Sequence, residues 1–162
     1  MPERQQTAQR PTMPGYGIDT SEAGLLPWTW ASERLTNAHG YWVATADADG
    51  APHLAAVWAV WFNGAVCFST GGASRKARNL SRDARCAVTT GDATESLVVY
   101  GKARRLMDPA TLDRMRQVYV AKYGEGFPDP VENPVFAVGP ENVIGIVEAE
   151  FISSATRWTF ND

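Results

Sequence analysis

Short runs of hydrophobic residues, several of them alternating with polar ones, recur between residues 41 and 160. Such runs, separated by Gly, Asp and Pro, are typical of β-strands joined by tight turns. Seven or so short strands flanked by two or three helices favour a mainly β (α+β) fold, a closed antiparallel barrel. The predicted strands cover residues 41–46, 54–62, 65–70, 85–90, 95–105, 135–138, 142–151 and 156–160.

The predicted strand over residues 54–62 is unusual because it reads L-A-A-V-W-A-V-W-F and contains no polar side chain. A hairpin strand with one solvated face should alternate apolar and polar residues. Both faces of this strand should therefore be covered. One would line the barrel interior, and the other needs a helix, a cofactor ring or a second subunit. Asn63-Gly64 is a strong hairpin signal that pairs this strand with residues 65–70.

Two helices flank the predicted strands. Apolar residues recur at helical spacing from Trp28 to Ala38, and Gly40 supplies a stop. A second helix should begin at Asp108, an N-cap residue followed by Pro109, and end near Gly124. Its predicted buried stripe consists of Leu112, Met115, Val118 and Tyr119.

The first 24 residues have no apolar period and are rich in Gln, Thr, Pro and Gly. We expect residues 1–24 to be a flexible arm that becomes ordered where it lies on a partner surface. Residues 25–162 then form one domain with a full core.

Composition and charge narrow the functional class. The 162-residue chain has a formal net charge of −3, which argues against non-specific nucleic-acid binding. Cys67 and Cys86 lie in apolar runs and are expected to be reduced core residues, and with two histidines no metal site is predicted. The sequence has no signal-peptide pattern and no apolar run long enough to span a membrane, so we expect a soluble, cytoplasmic protein.

Residues 69–80, S-T-G-G-A-S-R-K-A-R-N-L, carry the clearest chemistry. A strand, two glycines and a basic first helical turn together favour an anion site, because N–H groups at a helix start are unpaired and glycine permits close approach. The segment lacks the spacing of a P-loop or a dinucleotide fingerprint. The alternative is a solvated basic helix face. Five of the fifteen basic residues lie within the eleven positions 75–85: Arg75, Lys76, Arg78, Arg82 and Arg85.

Three sequence runs carry a resemblance to a known family. They are T-A-D-A-D-G-A-P-H from Thr45, V-W-A-V-W from Val57, and S-T-G-G-A-S-R-K-A-R-N-L-S-R-D-A-R-C from Ser69. Together they resemble the flavin and deazaflavin oxidoreductases of the pyridoxamine-phosphate-oxidase-like split barrel. The D-G-x-P-H turn, the K-x-R-N-L run and the closing A-T-R-W-T-F resemble the branch that uses coenzyme F420.

The resemblance implies an FMN-binding type of split barrel that forms a homodimer with two cofactor sites at the interface. The backbone of Val57, Trp58 and Ala59 would lie along the tricyclic ring. Trp158 would reach towards the cofactor of the other protomer. The phosphate would be surrounded by Ser69, Thr70, Ser74, Arg75, Lys76 and Asn79.

The expected reaction is hydride transfer from reduced coenzyme F420 to an unsaturated or quinone-like small molecule. FMN on the same scaffold is the alternative cofactor, and a non-catalytic F420 or flavin carrier or a haem-handling barrel is the alternative class. The chain lacks the C-terminal Arg and His run of the vitamin B6 oxidases, so oxidation of pyridoxamine phosphate is not expected. No catalytic residue is predicted. His53 could donate a proton, but a structural hydrogen bond at the strand start is the favoured interpretation.

Overall fold

A computed structural model describes residues 4–124 and 126–161. Its two longest strands, β7 (Glu95–Leu106) and β8 (Val135–Val147), pair along their whole length. The other edge of β8 is divided between two partners. Its first half pairs with β5 (Ala65–Ser69) and its second half with β9 (Thr156–Phe160). The barrel is split because β8 pairs with two different strands along the same edge.

From β7 the antiparallel sheet continues through β6 (Arg85–Thr89), β2 (Tyr41–Ala46) and β3 (Pro52–Val57). On the far side, β5 pairs with β4 (Ala59–Phe62). The strands β3 and β4 are consecutive in the chain and meet at Trp58. The backbone itself therefore connects these two end strands. The fold is a split antiparallel β-barrel, which confirms the predicted fold class.

The prediction of one continuous strand over residues 54–62 is wrong. The chain leaves the ladder at Trp58, so that β3 pairs with β2 whereas β4 pairs with β5. An uninterrupted apolar run gives no local signal for such a corner, because both halves keep strand-like residues. The separately predicted strands over 135–138 and 142–151 are in fact one strand, β8, followed by a short 3₁₀-helix (Glu148–Glu150).

The described residues include four α-helices, against the two or three expected. They are α1 (Trp28–Asn37), α2 (Arg75–Arg82), α3 (Pro109–Tyr123) and α4 (Phe151–Ser154). The Asp108 carboxylate caps α3 by accepting from the N–H of Thr111 at 2.8 Å, as the sequence predicts. None of the helices in the described ranges is both long and apolar enough to cross a membrane.

Two buried clusters show how the apolar run is covered. The barrel interior contains Val57 and Ala59 together with the buried face of α1. A second cluster lies between α3 and the opposite face of the barrel wall, where Val60 packs with Met115 and Tyr119. The strand β4 is therefore buried on both faces, and its second cover is a helix.

No element of the described residues covers the outer face of β3 in this way. Trp42 and Ala44 on β2 stand opposite Ala56 and Leu54 on β3, so these four side chains share one face of the sheet. Trp42 is 43% exposed and Leu54 is 59% exposed. We refer to these four residues as the outer patch. An apolar sheet face left open to water is unfavourable and is typical of an interaction surface.

The N-terminal segment is more ordered than expected. β1 (Gln6–Gln9) adds a strand to the edge of β9 in its own chain. The Arg10 guanidinium then donates to four carbonyl oxygens, including those of Ser153 at 2.7 Å and Ala155 at 2.9 Å. The expectation of a flexible arm is therefore wrong for this part of the segment, and residues 1–3 lie outside the described residues.

Candidate anion and coenzyme site

The turn between β5 and α2 is built as the sequence predicts. Ser74 is the N-cap of α2, and its Oγ accepts from the N–H of Ala77 at 3.1 Å. The N–H groups of Arg75 and Lys76, at the first two helical positions, have no acceptor within the helix. The turn is held from outside because the N–H of Gly72 donates to the carbonyl of Glu132 at 3.0 Å. A rigid helix start with free donors results.

Lys76 is the residue that gives this turn an electrostatic character. It is only 9% exposed, and burial lowers the pKa of its ammonium group. Among the residues that the structure describes, its Nζ has neither a hydrogen bond nor an ion pair. Its Nζ is not one of the fully buried unpartnered atoms, so the stem of Lys76 is buried while its charged end stays accessible to an anion at the turn.

The other predicted phosphate residues already have partners within the chain. Ser69 Oγ donates to the carbonyl of Asn133 at 3.1 Å, and the hydroxyls of Thr70 and Ser74 lie 3.1 Å apart. Asn79 is 5% exposed and its Nδ2 donates to Thr45 Oγ1 at 3.0 Å. The hydroxyls of Thr70 and Ser74 can still redirect a hydrogen towards a ligand, whereas Asn79 fixes α2 against β2.

Arg75 points away from the helix start. Its Nη2 lies 2.9 Å from Asp47 Oδ2 in the β2–β3 turn, and about half of its side chain is exposed. The backbone N–H of Ala51 and the guanidinium of Arg75 together hold the pKa of Asp47 below its usual range. Arg75 is therefore already neutralised, and to contact a phosphate it would have to leave this pair.

The predicted ring-binding segment is only partly open. Val57 is 9% exposed and Ala59 is fully buried, whereas Trp58 is 51% exposed. The N–H of Ala59 donates to the Tyr123 hydroxyl at 3.1 Å, and its carbonyl accepts from Lys122 Nζ at 3.1 Å. Both backbone groups of Ala59 are thus occupied by α3, so the expectation that they lie along a bound ring is corrected. For Val57 and Trp58 the contact with a ring stays a prediction.

The end of α3 shapes the surface around Trp58. The rings of Trp58 and Tyr123 stack with centroids 4.8 Å apart and planes 4° apart, and the His39 ring meets Trp58 edge-on. Lys122 Nζ also donates to the Tyr41 hydroxyl at 2.8 Å, and burial lowers the pKa of Lys122 to about 8. This arrangement provides a flat, fixed aromatic surface with a cation behind it.

Sequence reasoning missed Lys122 and Tyr123, although a signal was present. Lys122 follows Met115 by seven residues and Tyr123 follows Tyr119 by four, so both lie on the buried stripe of α3. A lysine on an apolar stripe needs an acceptor. Only the tertiary structure shows that the acceptors are Tyr41 and the corner at Ala59.

Trp158 does not reach towards a second protomer. Its side chain is fully buried between Trp28, which it meets edge-on at 5.6 Å, and Trp30, on which it stacks at 6.4 Å. The predicted contact with a partner's cofactor is therefore wrong, because the alternation of β9 turns this residue into the barrel. Trp158 is a core residue.

His53 lies on the inward face of β3 opposite Thr45. Its buried Nδ1 has no hydrogen-bond partner in the described part of the chain, so the favoured structural hydrogen bond is not formed by that atom. Within the described ranges, no three His, Cys, Asp or Glu side chains converge as metal ligands would.

Comparison with known proteins gives one family match. The sequence profile of the family described as pyridoxamine 5'-phosphate oxidase matches residues 31–145. This range includes the strand–turn–helix segment, the corner at Trp58 and α3. A search of curated proteins found no match.

Several solved structures share the fold. A conserved hypothetical protein from Mycobacterium tuberculosis superimposes with a TM-score of 0.63 at 21% identity, over 82% of this chain and 88% of that one. An F420 reductase gives 0.57 at 20% identity, over 69% and 94%. The heme storage protein HutZ from Vibrio cholerae gives 0.56 at 16% identity, over 67% and 86%. Identities this low establish the shared fold alone.

Proposed function

The chain belongs to the pyridoxamine 5'-phosphate oxidase family, and from that premise we propose that it is an oxidoreductase that uses coenzyme F420. Its substrate would be an unsaturated or quinone-like small molecule that accepts a hydride. The observation that supports this proposal best is Lys76, a cation that is 9% exposed and has no acceptor among the described residues.

Lys76 favours an anionic ligand over a solvated helix face. On a solvated face, the whole side chain would extend into water and keep its ordinary pKa. Here burial lowers the pKa of Lys76, and the free N–H groups at the start of α2 lie beside it. A phosphate at this point would satisfy both, because a helix start and a buried cation each favour negative charge. The residues present therefore fit the phosphate of a flavin or deazaflavin.

The corner at Trp58 fits the ring system of the same coenzyme. When bound, the reduced coenzyme supplies the hydride, and the protein supplies position and a dry environment. Lys122 and Tyr123 hold Ala59 from behind, so the corner cannot relax away from a ligand. The exposed ring of Trp58 gives a planar surface against which a planar acceptor could pack.

We also propose that the protein is a homodimer formed through the outer patch. Trp42 and Leu54 are large, apolar and about half exposed, and they lie on the two strands next to the corner at Trp58. A second copy placed there would cover the face of β3 that this chain leaves open. It would also enclose the open side of Trp58.

FMN is the second candidate cofactor, since a phosphate site alone does not separate a terminal phosphate from a phosphodiester with an acidic tail. A longer coenzyme needs further cations beyond Lys76. Lys102 is paired with Glu141 at 2.9 Å and Arg85 with Asp83 at 2.7 Å. Arg104 is exposed on β7. Arg78 is exposed on α2, two positions after Lys76; its Nη1 donates to the carbonyl of Ala73, and no described carboxylate pairs with it. We take Arg78, the nearer to Lys76 in the chain, as the cation that a tail would meet.

The deciding experiment is a side-by-side titration of the purified apo-protein with coenzyme F420 and with FMN, followed by fluorescence. We expect tighter binding of F420, and we expect Arg78→Gln to weaken F420 but not FMN. Equal loss for both ligands would place Arg78 at the phosphate instead. Failure of both ligands to bind would refute the proposed function.

A non-catalytic carrier is separated from an enzyme by turnover. Reduced F420 should be oxidised when quinones or α,β-unsaturated carbonyl compounds are added with catalytic amounts of protein. Tight binding with no oxidation across such a panel would support the carrier. A haem-handling protein would instead give a Soret band on titration with haem, and the two histidines can be tested by His39→Ala and His53→Ala.

A further inference from the structure

The strand β9 places an arginine on the outer face of the sheet. Because side chains alternate along a strand, Arg157 points to the opposite face from its buried neighbour Trp158. Arg157 stands opposite Ile144 on β8 and Gln9 on β1. Together with residues from the N-terminal segment, it lines a groove of about 340 Å³.

The guanidinium of Arg157 lacks an acceptor. Its Nε is buried and makes no hydrogen bond in the described part of the chain, and no described carboxylate pairs with the side chain. A buried N–H donor without a partner calls for an explanation, such as strain, a water molecule or a bound acceptor, and the groove beside Arg157 leaves room for an acceptor.

The remaining walls of the groove are apolar or uncharged. The Tyr100 ring is 43% exposed, and Ile144 and Met13 supply aliphatic surface. Asn142 and Thr12 add neutral hydrogen-bonding groups beside the cation, and none of the described residues that line the groove is acidic. A volume of about 340 Å³ is at the lower end of the range that small-molecule pockets occupy.

The groove is formed in advance on both sides. One wall is the sheet itself, and the other is the segment after β1, which the four carbonyl contacts of Arg10 hold against the body of the protein. Gln9 on β1 also pairs with Arg157 on β9, so the pairing of these two strands fixes one wall relative to the other. A ligand would therefore bind here with little ordering of the chain.

We propose that this groove is a binding site for a small aromatic oxyanion, a molecule that joins a planar ring to a carboxylate or a phosphate. The guanidinium fork binds the oxyanion through two parallel hydrogen bonds, and the ring packs against Tyr100 and Ile144. The site goes beyond the proposed coenzyme function and does not depend on it. In the strand order of the sheet, β9 and β3 are five places apart, and neither Lys76 nor Trp58 lines this groove.

The test uses benzoate and phenyl phosphate as probes, with benzamide as a neutral control of the same shape. Binding is followed through the ¹H–¹⁵N signal of Arg157 Nε and by calorimetry, on the full-length protein. We expect both oxyanions to move that signal, and benzamide not to. Tighter binding of benzoate would identify a carboxylate as the preferred oxyanion, and tighter binding of phenyl phosphate would identify a phosphate. Arg157→Gln should weaken the better probe by at least about tenfold, the loss of one charged contact.

Two further variants make the result decisive. Arg105→Gln removes an exposed arginine from the same sheet and should leave benzoate affinity unchanged. Arg157→Lys keeps the charge without the fork and should bind less tightly than the native protein, which guards against a misfolded glutamine variant. Equal binding by Arg157→Gln, or equal binding of benzamide, would overturn the proposal. So would a change of oligomeric state in Arg157→Gln without oxyanion binding by the native protein, which would assign Arg157 to a carboxylate of a second copy.

Discussion

At the level of single residues, Lys76 should show opposite effects on stability and on binding. Replacing it with Met removes a buried cation that lacks a partner, so the free energy of unfolding should stay the same or rise. The same change should weaken coenzyme F420 by about 2 kcal/mol, roughly 30-fold, because one charged contact is lost. Fluorescence titration and thermal unfolding measure the two effects.

The matched control for Lys76 is Arg82→Gln, which removes one positive charge from the other end of α2. Arg82 donates to the carbonyl of Ala46 and is exposed, so coenzyme affinity should not change. If Lys76→Met bound the coenzyme as tightly as the native protein, the phosphate assignment would be wrong.

Cys67 gives a prediction about pH. Burial raises the pKa of this thiol to about 12, whereas an unfolded cysteine titrates near pH 8.5. The raised pKa means that its contribution to stability is complete below about pH 8.5 and is lost as pH rises towards 12. The difference in unfolding free energy between the native protein and Cys67→Ala should therefore shrink by about 1.4 kcal/mol per pH unit above pH 8.5. Urea unfolding at pH 7.5 and pH 9.5 measures it, and a constant difference would contradict the assignment.

Sequence reasoning at the level of residues identified the basic turn before α2 but not the ion pair that Arg75 forms. Ser74 as a helix cap and Lys76 in the first turn follow from local order alone. That Arg75 pairs with Asp47, 28 residues earlier, depends on how two turns meet in the barrel. The orphaned nitrogen of Arg157 is likewise a tertiary fact, because only the ladder from β1 to β8 shows what surrounds it.

At the level of elements, β8 contains a position where only glycine fits. A Cβ built on Gly145 would lie 2.7 Å from Trp30 Cζ3 and 2.9 Å from the Trp158 ring. Gly145→Ala should therefore lower the free energy of unfolding by about 2–3 kcal/mol, the cost of overpacking a rigid core. Gly139→Ala lies on the same strand with no atom within 4 Å of the added Cβ, and it should change stability by less than about 0.5 kcal/mol. If both substitutions changed the free energy of unfolding equally in denaturant, Trp30 and Trp158 would be able to move away from the added methyl group.

The elements also show where pattern reasoning reaches its limit. Strand existence was predictable, because alternation and hairpin residues are local signals. The corner at Trp58 was not, since a run of apolar residues looks the same whether it continues or turns. The pairing of Gln6–Gln9 with β9 was missed for a related reason: a short polar edge strand has no hydrophobic period, and its order comes from Arg10.

At the level of the whole molecule, the uninterrupted apolar run predicted that something must cover its second face. For β4 that cover is α3, within the same chain. For β3 the described chain leaves Leu54 59% exposed and Ala56 beside it. This exposed apolar face lies next to the proposed ring site. It is therefore an argument for a second copy of the chain, which would bury the face and complete the site.

Leu54→Glu tests this argument directly. A carboxylate at the centre of an apolar interface would have to be desolvated without a partner, which should cost about 3 kcal/mol and weaken dimerisation at least about 100-fold. Because Leu54 is exposed in the single chain, the variant should fold normally, and sedimentation should show a monomer. Val131→Glu, at a loop position that is 83% exposed, should remain dimeric. The monomer should also bind coenzyme F420 less tightly, since Trp58 would lose its cover. A native protein that sediments as a monomer would refute the dimer, and a monomeric Leu54→Glu with unchanged affinity would show that one chain holds the coenzyme alone.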